Sequence, residues 1–113
     1  MSDDRVVIRK MIEYCLDIQF LLEKYKNDFS VYESDISFQY SCNMCIIQLG
    51  ELVNRLSDKC IENNQNIPWH AIRAMRNLHA HDYENVDLEI VWNTLQEDIP
   101  LLKEQLSEIF CEK

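Results

Sequence analysis

From Trp69 to Tyr83 the chain reads Trp-His-Ala-Ile-Arg-Ala-Met-Arg-Asn-Leu-His-Ala-His-Asp-Tyr, and most of its reactive side chains are gathered there. Arg76 is a permanently charged fork that can donate to two phosphate oxygens at once. His81 exchanges a proton near neutral pH without special tuning. On a straight helix, five residues place these two side chains about 140° apart. The spacing therefore predicts a helix that ends between them, with Asn77 at its C-terminus, so that both can face one cleft. The same residues also suit a plainer role, cations at a helix end that complement its dipole.

The charge pattern isolates this segment. The chain has 113 residues, 20 acids and 11 bases, for a formal net charge of −9. No acid occurs between Glu62 and Asp82, a gap holding Arg73, Arg76 and all three histidines, His70, His79 and His81. Residues 82–112 then carry nine acids against one base, Lys103. Such a chain does not coat nucleic acid non-specifically, but a local phosphate site fits the gap. Gly50 is the only glycine, which argues against tight hairpins, Rossmann domains and glycine-rich phosphate loops. The five cysteines, Cys15, Cys42, Cys45, Cys60 and Cys111, read most simply as buried thiols in a reducing compartment. Cys42-x-x-Cys45 lacks the second pair or flanking strands of a zinc or redox motif.

Apolar residues at steps of three and four predict helices over about 4–27 and 36–60, then a short one over 68–77 started by Pro68. Residues 77–86 read as a helix end and loop. Asp87 caps a last helix in which Pro100 should produce a kink, since the apolar stripe stays in phase beyond it. The expected architecture is one domain, 1–113, all-α: an up-and-down bundle of three long helices plus one or two short ones. With no apolar run of 18 residues and no signal-peptide core near Met1, a cytoplasmic protein without membrane contact is expected.

Arg76-Asn77-x3-His81 matches the R-polar-x3-H motif of HEPN domains, and Asp82-Tyr83 extends it to the R-x4-H-x-Y of the HepT subgroup. Gly50-Glu51, Ile67-Pro68-Trp69 and the run from Asp87 through Val91-Trp92 to Asp98-Ile99-Pro100-Leu101 also resemble HepT-like proteins, from about residue 38 onward. The resemblance implies the toxin of a toxin–antitoxin pair, a metal-independent RNA endonuclease without cofactor. It would act as a homodimer with the motifs of two protomers around one cleft. It further implies a separate minimal nucleotidyltransferase as antitoxin, which silences the toxin by transferring AMP to Tyr83. A second reading uses the same residues differently: a catalytically idle helical module that binds the nucleotidyltransferase and is modified by it.

The chemistry is coherent with the residues. Cleaving RNA without a metal requires a base for the ribose 2′-OH, an acid for the leaving oxygen and a cation for the transition state. His81 would move protons, Arg76 would hold charge, and Asn77 would bind a phosphate oxygen or orient a water. Tyr83 falls in the polar stretch Asp82-Tyr83-Glu84-Asn85, expected to be an exposed loop; the plainer alternative packs it on the last helix near Trp92. Glu51 either reaches in to orient Arg76 or His81 or is an ordinary surface carboxylate. His79-x-His81 could offer two metal ligands, but no third has supporting spacing, so no metal is expected. His70 is expected to pack at a helix start beside Trp69.

Overall fold

Burial of the apolar stripes decides which helices meet. The computed structural model describes residues 2–111. Helix α1 (Ser2–Lys24) buries Val7, Ile8, Met11, Cys15, Ile18 and Leu22, its expected stripe. It stops short of residue 27 because Lys26 and Asn27 turn left-handed, with φ of 65° and 51°. The Asn27 N–H donates back to the Leu22 carbonyl and the Lys26 N–H to that of Glu23, a Schellman closure built without glycine. Asp28 then caps α2 (Phe29–Ser34), accepting from the Ser30 N–H; no helix was expected between the first two.

Asp35 starts α3 (Ile36–Val53) by accepting from the Phe38 N–H. The single rod expected over 36–60 is not formed. Helix α3 runs 18 residues, about 27 Å, then turns and resumes as α4 (Asp58–Asn63) with Ser57 as its N-cap. Leu56 is still buried and Cys60 partly so, so the apolar period continues across a break it does not reveal. Asp4 of α1 clamps that turn, accepting from the Ser57 N–H at 2.9 Å and from its hydroxyl at 2.6 Å.

Helix α5 (Trp69–His81) also differs from expectation. It continues past Asn77 to His81, and one 3-10 turn, Tyr83–Asn85, follows. Asp87 caps α6 (Leu88–Asn93) as read, and α7 (Ile99–Cys111) continues from it through a π-turn at Thr94–Asp98. Pro100 brings no N–H for the Gln96 carbonyl, and the wider turn just before it absorbs the misfit so that the stripe stays in phase. Trp92 of α6 packs with Phe29, Tyr32 and Phe38.

The product is an all-α up-and-down bundle, with no strand among the described residues. Helix α3 lies between α1 and α5, and α7 covers the other side of α1. No helix among the described residues is long and apolar enough to cross a membrane. The tightest contact is at Gly50: a Cβ there would sit 2.1 Å from the Cβ of Arg76 and 3.3 Å from the Ile72 carbonyl oxygen. Alanine is the better helix former by about 1 kcal/mol, yet Gly50→Ala should lower stability in urea denaturation, by about 1–3 kcal/mol. A stabilised variant would show that α3 and α5 do not need this approach.

Candidate functional site

Four side chains of α5 and its following turn meet polar partners along α3. The Arg73 Nε donates to Asn54 Oδ1 at 3.0 Å, and the Arg76 Nη2 lies 2.8 Å from Glu51 Oε2. The His79 Nδ1 donates to Asn43 Oδ1, and the Tyr83 hydroxyl donates to Gln39 Oε1 at 3.1 Å. Partner numbers fall on α3 as they rise on α5, the register of two antiparallel helices. Asn43, Gln39 and Asn54 were missed in the sequence. Their signal was faint: positions 39, 43, 50 and 54 share one face of α3 at helical spacing.

Arg76 is the hub. Its Nη1 donates to Asn77 Oδ1 at 3.0 Å and lies 3.3 Å from His81 Nε2. A guanidinium has no acceptor, so this contact is a hydrogen bond when the His81 Nε2 accepts and the ring proton sits on Nδ1. In that tautomer the Nε2 lone pair faces Arg76. The Arg76 Nε is buried without a hydrogen-bond partner.

The structure thus joins Arg76, Asn77, His81 and Glu51. It does so differently from expectation: the helix does not end between Arg76 and His81, and the long arginine side chain crosses the angular gap near the last turn. Asn77 spends its Oδ1 on Arg76 and keeps its amide N–H groups as donors. Glu51 is more than a surface carboxylate, since it holds Arg76 from the facing helix.

Other residues fall elsewhere. His79 is buried toward α3 while His81 is exposed, so the two histidines do not converge on one ligand. His70 is exposed rather than packed; Trp69 beside it is buried and donates to the Asn64 carbonyl. Tyr83 is half-buried in the 3-10 turn rather than in an exposed loop. Its ring packs on Tyr40 and His79, not on Trp92, and burial raises its phenol pKa. Burial pushes the Cys15 and Cys42 thiols to about 12 and Cys45 to about 11, so Cys42-x-x-Cys45 is part of the core and a poor nucleophile.

The sequence profile described as Ribonuclease HepT-like matches residues 11–109. A Caldanaerobacter subterraneus subsp. tengcongensis protein named "Putative RNase" is 28% identical over 110 residues, covering 96% of each chain. A Methanocaldococcus jannaschii protein named "Gamma-glutamylcyclotransferase and putative RNase" is 28% identical over 109 residues, 93% of this chain and 48% of its own. A "Probable ribonuclease HepT" of Thermococcus cleftensis is 26% identical over 91 residues, 79% of this chain and 83% of its own. No solved structure matches the chain. An all-α bundle with Arg76 and His81 in contact, matched over nearly its whole length, belongs to the HepT-like ribonuclease family.

The buried His79 has a measurable consequence. Desolvation lowers its pKa below the ordinary 6.5. Below 6.5 the unfolded chain binds a proton that the folded chain refuses, so folding stability falls with falling pH until the depressed folded value is passed. His79→Gln should flatten the dependence just below pH 6.5 in chemical denaturation. An unchanged slope would mean that another group titrates there.

Proposed function

We propose that the protein is a metal-independent RNA endonuclease of the HEPN type, acting in the cytoplasm as the toxin of a toxin–antitoxin pair. The observation that carries this reading is the contact of Arg76 with the acceptor nitrogen of His81, backed by Glu51. In this scheme the Arg76 Nη1 turns from His81 to a phosphoryl oxygen, the freed Nε2 lone pair takes the 2′-OH proton, O2′ attacks phosphorus, and the 5′ oxygen leaves with a proton from an acid. Arg76 stabilises the charge that accumulates on the phosphoryl oxygens, and the Asn77 amide donates to one of them.

One chain offers a base without a neighbouring acid, because His79 is buried and turned away. A second copy would supply its own His81, which supports a homodimer. A surface for it exists. Ile36, Tyr40 and Met44, spaced by four on α3, are exposed together with Leu16 and Phe20 of α1, and Tyr40 touches Tyr83. Pairing two copies through this stripe would bring their sites close. Scattering should report twice 13.5 kDa, and Met44→Glu should shift the mass to one chain and reduce activity. A parent already monomeric at micromolar concentration overturns the shared cleft.

The partner in this reading is a minimal nucleotidyltransferase that places AMP on Tyr83. Modification requires the phenol to leave Gln39, and the added phosphodiester would lie near Arg76 and compete for it. Co-expression with the transferase should add whole AMP units to the chain, and Tyr83→Phe should abolish the shift. An adduct on another residue would remove this mechanism.

The idle-module reading draws on the same site, where Glu51 already neutralises Arg76. Incubation with RNA in EDTA separates the two. The parent should cleave, Arg76→Ala should not, and His81→Ala should lose roughly two to four orders of magnitude while staying folded. Equal cleavage by parent and His81→Ala would end the assignment of the base.

A further inference from the structure

Arg73 stands one turn before Arg76 on α5 and takes no part in the chemistry above. Its Nε is tied to Asn54 at 3.0 Å, which fixes the direction of the guanidinium. Its two terminal nitrogens have neither a hydrogen-bond acceptor nor a carboxylate among the described residues. Acids are absent from 63–81, and the carboxylate facing this part of α5, Glu51, is taken by Arg76. Arg55, beside Asn54, is exposed and adds positive charge to the same corner.

His70, Arg73 and Arg76 follow one another at three-residue steps, so they lie along one side of α5 with a rise of about 4.5 Å per step. The long guanidinium side chains can spread further apart than this rise, so neighbouring arginines can each reach one of two consecutive phosphates on a strand. The opposite end of the seam is closed by Tyr83 and Tyr40, so a strand held at Arg76 has its polar exit toward Arg73.

We propose that Arg73 binds the phosphate adjacent to the one on which Arg76 and His81 act, so that the substrate is a single strand with at least two consecutive phosphodiesters laid along α5. This inference rests on the ribonuclease reading, since it takes Arg76 and His81 as the point of cleavage. Arg73 is a binding residue in it, not a catalytic one.

The test uses the full chain and two probes. Binding of a 2′-O-methyl RNA strand, which cannot be cleaved through its 2′ oxygen, is followed by anisotropy across a salt series. Arg73→Gln should bind about tenfold more weakly at low salt. Its plot of log affinity against log salt should be shallower by about 0.7, the loss of one phosphate contact on a single strand. Arg73→Lys should retain the parental slope. In cleavage, Arg73→Gln should raise KM about tenfold on a longer strand, with kcat kept, and leave a dinucleoside monophosphate, with its one phosphodiester, unaffected. An unchanged salt slope overturns the proposal. So does an equal loss on the dinucleotide, which would mean that Arg73 serves only the packing of α5. A parent that binds strands without cleaving them removes the ribonuclease reading, while the salt slope still decides whether Arg73 holds a phosphate.

Discussion

The approach of α5 to α3 at Gly50 is the constraint on which the rest of the site depends. The stem of Arg76 occupies the space a side chain at position 50 would need. That close seat roots the arginine against the central helix and brings its guanidinium to Glu51, Asn77 and His81. Two helices held apart by an ordinary pair of side chains would leave the same residues on the surface without a common centre. The glycine weakens α3 as a helix, and the structure uses that weakness to gain proximity.

Electrostatics then sharpen what the packing permits. Arg76 and Glu51 are both partly solvated, with 24% and 45% of their side chains exposed. The pair therefore orients the guanidinium more than it stabilises the fold. An anion arriving from solvent meets a positive group already aimed, in a chain whose remaining charge is strongly negative. That contrast disfavours loose coating by nucleic acid.

The legible parts of the molecule were those governed by burial period. The stripes of α1, α3 and α7, the Asp87 cap and the continuation past Pro100 all follow from spacing. The break after Val53 was hidden because Leu56 and Cys60 keep the apolar phase on both sides of it. The end of α5 was misplaced because Asn77 ends helices only by tendency, and here the helix runs on to His81. Arg76 and His81 could be picked out by residue type and motif. Asn43 and Gln39 could not, since an amide on a helix acquires meaning only from the helix that lands opposite. Tyr83 looked exposed because its neighbours are polar, whereas its ring finds Tyr40, far off in sequence, and His79, about one turn before it.

Helix α5 is lodged mainly against a single neighbour, α3, through Trp69, Ile72 and the Gly50 contact, whereas α3 is enclosed from both sides. Free energies of opening therefore differ between them. If that single interface opens before the rest, the segment carrying Arg73, Arg76 and His81 lifts from the bundle at a cost below that of global unfolding. Amide exchange along α5 would then outpace exchange in α3, and function would be lost under mild denaturant while most helical signal persists. Loss of the site and loss of the fold would then be two separate events.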